Sequence, residues 1–354
     1  MAANKDTCPN KGSRGTVVRV DATGGSTVIL EENEAISQAN AEVFGVDCIS
    51  EDEIISKAQN ADVIMTGAAM MTRRVMEGLP RCKAVIRYGI GYDTIDVPAA
   101  TDNRIIVINV PDFCFEEVAN HALGLLIVCA KKIVLLNNLV KQGRWAEAQR
   151  SLTPMRHIHG ETLGIIGCGN IGRTIARKAP FLQLRVLGYD PYVDKTLAAE
   201  SGITLVSMPE LLKESDYISL NPIMNQETWH LVGENEFRQM KPSAYLINTA
   251  RGSVVDEAAL IKALQEKRIA GVGLDIFEKE PIDSQNPLLK MDNVVVTPHT
   301  ASYSDVAFAR LRRTVGQEAA RVISGYWPKS VVNKTVKPKV KLIKEERDEK
   351  KYTT

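Results

Sequence analysis

The sequence predicts an α/β protein of two domains, and three observations carry that expectation. Short apolar runs alternate with stretches of helical period along most of the chain. A long helical segment interrupts this alternation near residue 115, and a Gly-X-Gly-X-X-Gly turn stands at residues 167–172, well away from the first residues. At 354 residues the chain is long enough to build two separate cores.

In chain order, VVRV, ADVIMTG, CKAVIRYG and RIIVINV read as strands, and the polar stretch 31–44, EENEAISQANAEVF, reads as helix. This first series has no glycine fingerprint. FEEVANHALGLLIVCAKKIVLLNNLVKQGRW follows, with Glu116 and Glu117 where acidic groups favour a helix N-terminus and no proline for about thirty residues. It predicts one long helix, or two in series. A second series gives strands in LGIIGC, RVLGYD, YISLN, AYLINTA, GVGLDIF and NVVVTPH, with helical stretches such as ELLKES and DEAALIKALQEKR between them. SDVAFARLRRTVGQEAARVISG is amphipathic and predicts a helix with one buried face. The charged segment 337–354, KPKVKLIKEERDEKKYTT, predicts a solvated, disordered tail.

With 44% hydrophobic and 25% charged residues the composition is that of an ordinary soluble globular protein, and a net charge of +1 gives no reason to expect nucleic acid as a partner. The six cysteines are scattered without a CxxC pair, which predicts neither a disulfide framework nor a metal site and points to a reducing, cytoplasmic compartment. The first residues lack the apolar region of a signal peptide, and the run LGLLIVCA is too short to span a bilayer, so no membrane partner is expected.

The glycine turn passes its context test, because strand-like LGII precedes it and helix-like residues from Ile171 to Lys178 follow. Gly167 would make the tight turn, Gly169 would admit a pyrophosphate to the backbone, and Gly172 would let helix and strand pack closely. The helix N-terminus offers N–H groups to phosphates. Asp190 ends the next strand, 18 residues beyond Gly172, where a carboxylate accepts hydrogen bonds from ribose hydroxyls and repels a 2′-phosphate. The expected cofactor is NAD.

Three residues at strand ends are candidates for chemistry: Arg251 in NTARGSVVD, Glu280 in DIFEKEP and His299 in NVVVTPHTA. Each has a plain reading when taken singly, as a surface arginine, a loop carboxylate before Pro281 and a satisfied histidine near a domain junction. Their shared placement favours a joint one. For reduction of a 2-keto acid, His299 would exchange a proton with the carbonyl oxygen, Glu280 would favour and orient the charged imidazole, and Arg251 would bind the substrate carboxylate.

GCGNIG, NTARG, DIFEKEP and TPHTA, with Arg251, Glu280 and His299 spaced 29 and 19 residues apart, resemble the D-isomer-specific 2-hydroxyacid dehydrogenase family over about residues 20–335. The branch that includes phosphoglycerate dehydrogenases and C-terminal-binding-protein corepressors is the most similar. The resemblance implies a Rossmann-type NAD-binding domain inserted into a flavodoxin-like substrate domain with the active site in the cleft. Residues 1–121 and 303–336 are then the substrate domain, 122–302 the NAD domain and 337–354 the tail. It also implies substrate contacts from the N–H groups of Ile90 and Gly91, and cofactor contacts from Asn170, Ile171, Asn221, Pro222, Thr249, Ala250 and Asp275, in a homodimer. Met70, Met71 and Tyr88 are candidates for the variable wall of the pocket. The sequence departs from the family at Asn221-Pro222-Ile223-Met224, where His-Cys-Pro-Leu is usual, and at Ser302, where the corepressors carry tryptophan. The expected activity is NAD-dependent interconversion of a small 2-keto acid and its D-2-hydroxy acid. The alternative is an NAD(H)-sensing, corepressor-like binding protein. Glu280 argues against formate dehydrogenase chemistry, which uses glutamine there.

Overall fold

The alternation resolves into two parallel sheets. The computed structural model describes residues 15–21 and 30–344, which form two compact units. One holds the described chain up to Phe113 and from Asp305 onward; the other is Cys114–Ser304.

The strands of the first unit are β1 (Gly15–Arg19), β2 (Ala41–Gly45), β3 (Val63–Thr66), β4 (Ala84–Arg87) and β5 (Ile106–Ile108), all parallel in the order β2-β1-β3-β4-β5. This is the flavodoxin-like order. Every residue of β3 and β5 is buried, as expected when helices cover both faces of a parallel sheet. Val18, Ile64, Val85 and Val107 meet Met71, Met76 and Leu79 in one core. The amphipathic helix Asp305–Ile323 packs on the helix Leu30–Gln38.

Two expectations are corrected in this unit. The stretch 31–44 is not helix throughout: the helix stops at Gln38, Asn40 takes a left-handed φ of 55°, and Ala41–Gly45 becomes β2, paired along β1. The tail does not begin at 337. Arg104 Nε and Nη2 donate to the carbonyls of Lys337 and Pro338, Lys339 Nζ donates to those of Leu79 and Pro80, and Trp327 N–H donates to Ile343 O at 2.9 Å. Composition reads this segment as solvated because its charges are counted without the carbonyls they meet. The rest of the expected tail, 345–354, lies outside the described residues, as does Cys8.

The second unit contains β6 (Thr162–Ile166), β7 (Arg185–Tyr189), β8 (Thr204–Leu205), β9 (Tyr217–Leu220), β10 (Tyr245–Asn248), β11 (Gly271–Leu274) and β12 (Val294–Val296). They form one parallel sheet in the order β12-β11-β10-β9-β6-β7-β8, in which the direction of winding reverses between β6 and β9. Side chains alternate between two cores. Leu163, Ile165, Tyr217 and Ile247 join Ala119, Leu125 and Ile175 on one face, while Ile166, Ile218, Leu220 and Leu246 join Leu211, Phe237 and Leu260 on the other.

The long helical segment is two helices, Phe115–Ala130 and Ile133–Lys141, bent by 61° at a break where Lys132 takes a φ of 51°. Among the described residues no single helix is long and apolar enough to cross a membrane. The first helix packs along its length on β10, β11 and the helix Asn170–Lys178. The second unit thus begins at the N-terminus of the first helix and ends just before the helix Asp305–Ile323, beside expected boundaries at 121/122 and 302/303.

Candidate active site

The winding reversal at β6 and β9 places the loops after these strands at the position where open α/β sheets bind ligands. The glycine turn occupies it. Gly167 has a φ of +87°, and a Cβ there would lie 2.6 Å from Pro222 N. A Cβ on Gly172 would lie 2.2 Å from Gly167 O, so the helix Asn170–Lys178 starts directly against the turn. A Cβ on Gly169 would meet nothing within 4 Å, which leaves its backbone open to a ligand. The helix has no side-chain cap, so the first-turn N–H groups of Asn170 and Ile171 remain for an anion.

Asp190 does more than end β7. Its Oδ2 accepts from Cys168 N–H at 2.8 Å, and its Oδ1 accepts from Tyr192 N–H at 2.9 Å and Val193 N–H at 3.1 Å. The carboxylate thus ties the glycine turn to the turn after β7. On the other side of β6, Asn221 Nδ2 donates to Ser219, while Asn221 Oδ1 and Thr249 Oγ1 are buried with no partner among the described residues. Buried polar atoms are rarely left so. An open glycine backbone, an uncapped helix N-terminus and two orphaned oxygens fit a dinucleotide laid across this edge.

Arg251, Glu280 and His299 come together at the ends of β10, β11 and β12. The buried Asn248 shapes the first loop: its Oδ1 accepts from Ala250 N–H and its Nδ2 donates to Arg251 O at 2.9 Å. Gly252 then lies flat on the next loop, since a Cβ there would sit 1.9 Å from Phe277 C. This contact sets the Arg251 loop against the loop carrying Glu280. Glu280 Oε1 accepts from Phe277 N–H at 3.0 Å, and Oε2 lies 2.7 Å from His299 Nδ1. Burial works against ionisation of Glu280, but the His299 and Phe277 hydrogen bonds and the charges of His299 and Arg251 outweigh it and hold the carboxyl below the usual range.

His299 itself has a left-handed φ of 53°, a conformation unfavourable for a residue with a Cβ. Its N–H donates to Asp275 O at 2.7 Å. The carboxylate of Asp275, only 1% exposed, gathers the rest of the turn, accepting from Thr297 Oγ1 at 2.5 Å, Thr300 N–H at 2.9 Å and Ala301 N–H at 2.8 Å. Since the Thr297 hydroxyl donates to Asp275, its oxygen accepts from His121 Nε2, 2.9 Å away on the helix Phe115–Ala130. Asp275, expected at the cofactor, thus has a clear task in holding the histidine turn. Sequence reasoning missed His121, Thr297, Asn248 and Gly252. The one available signal was a histidine inside the otherwise apolar run HALGLLIVCA.

Ile90 and Gly91 lie in the loop after β4, in the first unit. Asn109 Nδ2 donates to Ile90 O at 2.8 Å and Val110 N–H to Gly89 O at 3.0 Å, which fixes the loop and leaves Ile90 and Gly91 partly exposed. Of the three wall candidates, Met70 is exposed, but Met71 is fully buried and belongs to the core. Tyr88 turns its hydroxyl towards Met65 Sδ, with the Arg19 guanidinium 5.0 Å from its ring centroid.

Comparison with known proteins agrees with this geometry. Residues 123–301 match the NAD binding domain of the D-isomer specific 2-hydroxyacid dehydrogenases. The glyoxylate reductase of Korarchaeum cryptofilum is 38% identical over 289 residues, which cover 81% of this chain and 87% of that protein. Solved structures share the fold, two of them with bound ligands. The D-lactate dehydrogenase of Aquifex aeolicus, complexed with NAD and lactic acid, matches with a TM-score of 0.74 and 30% identity, covering 88% of this chain and 95% of that one. The NADPH-dependent glyoxylate/hydroxypyruvate reductase of Sinorhizobium meliloti, in complex with NADP and malonate, gives 0.79 and 27%, covering 90% and 97%. A nicotinamide-dependent dehydrogenase is the class that this fold and site define. The chain belongs to the D-isomer specific 2-hydroxyacid dehydrogenase family.

Proposed function

We propose that the protein reduces a small 2-keto acid to its D-2-hydroxy acid, and catalyses the reverse, with NAD(H) as cofactor. The observation that carries this reading is the 2.7 Å contact between His299 Nδ1 and Glu280, with the Arg251 charge alongside. Nδ1 is engaged by the carboxylate, so Nε2 is the nitrogen that exchanges a proton with the substrate oxygen. Glu280 holds Nδ1 and fixes the plane of the imidazole. Arg251 pairs with the substrate carboxylate and polarises the carbonyl, and the N–H groups of Ile90 and Gly91 add further donors to the carboxylate. The bound nicotinamide supplies the hydride.

Asn170, Ile171, Asn221, Pro222, Thr249 and Ala250 are the proposed cofactor contacts, with Asp190 on the ribose. The names of the relatives support glyoxylate, hydroxypyruvate and lactate-sized acids as substrates. A corepressor-like binding role is not favoured, because the similar curated proteins are named as enzymes, among them glyoxylate reductase and D-3-phosphoglycerate dehydrogenase. We assign the protein to the cytoplasm, which the free and mostly buried Cys48, Cys82, Cys114, Cys129 and Cys168 support. We also assign it a homodimer through the second unit, which the exposed Ile133, Val140 and Trp145 support.

The test is NADH oxidation with glyoxylate, hydroxypyruvate, pyruvate and bulkier 2-keto acids. Turnover with at least one small acid is expected. Tight NADH binding with background rates on every acid would defeat the enzymatic reading.

A further inference from the structure

The residues that depart from the family pattern, Asn221–Met224, lead into a loop whose structure bears on cofactor choice. The loop starts against the glycine turn, where a Cβ on Gly167 would lie 2.7 Å from Asn221 C. It then closes on itself. Asn225 Oδ1 accepts from the N–H groups of Glu227 at 2.8 Å and Thr228 at 3.0 Å, and Thr228 Oγ1 donates to Ile223 O at 2.6 Å. The Glu227 backbone is thereby fixed, and its Oε2 accepts from the Tyr192 hydroxyl at 2.5 Å.

Tyr192 belongs to the turn after β7 and donates its own N–H to Asp190. One tyrosine therefore links two carboxylates, from loops on either side of the β6 glycine turn in the strand order β9-β6-β7. Its side chain is not core packing, since Tyr192 is 76% exposed. Among the described residues neither Asp190 nor Glu227 is in an ion pair. Arg173, the first cation on the adjoining helix, directs Nη1 to Cys168 O at 3.0 Å and Nη2 to Asn170 Oδ1 at 2.7 Å. A 2′-phosphate arriving here would meet two negative groups, with the local guanidinium already engaged.

We propose that Glu227, aimed by Tyr192, is a second determinant of cofactor choice, so that rejection of a 2′-phosphate rests on two carboxylates rather than on Asp190 alone. The proposal rests on the dinucleotide reading of this edge. It also explains why Asp190 alone is a poor lever: removing its carboxylate releases the glycine turn as well as a charge.

Calorimetric titration of the full chain with NADH and NADPH tests it without recourse to turnover. A like charge about 4 Å away in water changes binding roughly fivefold. The ratio of the NADPH to the NADH dissociation constant should therefore fall about fivefold in Glu227→Gln and further in Glu227→Lys. In Tyr192→Phe, which keeps the carboxylate but releases its aim, it should fall less. The effect should shrink at high salt. A ratio within twofold of the wild type in both Glu227 variants would overturn the proposal. A wild-type chain that binds neither nucleotide would overturn the dinucleotide reading and the proposal with it, a result distinct from an unchanged ratio.

Discussion

The two ends of the seven-stranded sheet handle their polar groups in opposite ways. At the amino end, Asp216 accepts from Arg156 Nη2 at 2.9 Å, Lys241 Nζ at 3.0 Å and Thr162 N–H at 2.9 Å. Beside it, Glu161 pairs with Arg156 at 2.5 Å and accepts from the Tyr217 hydroxyl at 2.6 Å and Ile158 N–H at 3.2 Å. Every oxygen of these two carboxylates has a donor, although among the described residues Arg156 Nε and the buried Ser215 Oγ have no partner. At the carboxyl end, Asn221 and Thr249 keep orphaned oxygens, Gly169 is open and His299 holds a left-handed backbone. One end pairs its carboxylates within the chain; the other keeps an open glycine, two orphaned oxygens and a strained backbone at the proposed site.

Substitutions at the two ends should therefore separate activity from stability. The largest effect is expected at the carboxyl end. His299→Gln should lower kcat with any accepted 2-keto acid by roughly 10²–10⁴-fold, the usual contribution of a positioned acid/base group, with a nearly unchanged thermal midpoint. A near-normal kcat/KM would remove His299 from its role.

The glycine turn offers a contrast within one motif. Gly169→Ala has room for its methyl and should fold normally while weakening NADH binding about tenfold or more, whereas Gly172→Ala drives its methyl into Gly167 O and should fail to fold stably. Equal behaviour of the two in thermal melting and NADH titration would show that Gly169 has no ligand-facing role.

The smallest effect on activity is expected at the amino end. Asp216→Asn leaves Arg156 and Lys241 short of a counter-charge and should cost about 2–4 kcal/mol of stability in urea titration, with kcat per folded molecule retained. Burial works against ionisation of Asp216, but its N–H donor and two cations outweigh it, so its carboxyl titrates below the usual range. A folded-state value below the unfolded one means that this stabilisation is complete above about pH 4 and is lost as pH falls through the folded value. The gap between wild type and variant should narrow on acidification, and a constant gap from pH 7 to pH 3 would contradict the ionic account.

Legibility in the sequence followed the range of the interactions involved. The strands were readable because burial on both faces of a parallel sheet demands continuous apolar runs such as YISL and AYLIN. AEVFG was misread as helix because its half-exposed pattern follows a helical stretch without a strong breaker. The expected boundary at 121/122 falls within the helix Phe115–Ala130, because an apolar helix carries no mark in its sequence of which core it serves.

By itself the sequence determined the glycine turn and the Arg251, Glu280 and His299 set. Those depend on local rules, a required positive φ and a position just past a strand, that neighbouring residues specify. Only the tertiary structure decided that His121 reaches Thr297 across 176 positions of sequence, that Asp275 holds the histidine turn, and that Tyr192 joins Glu227 to Asp190. These pairings exist because β6 to β12 bring distant loops to one edge of a sheet, and no local pattern records which loops will meet there.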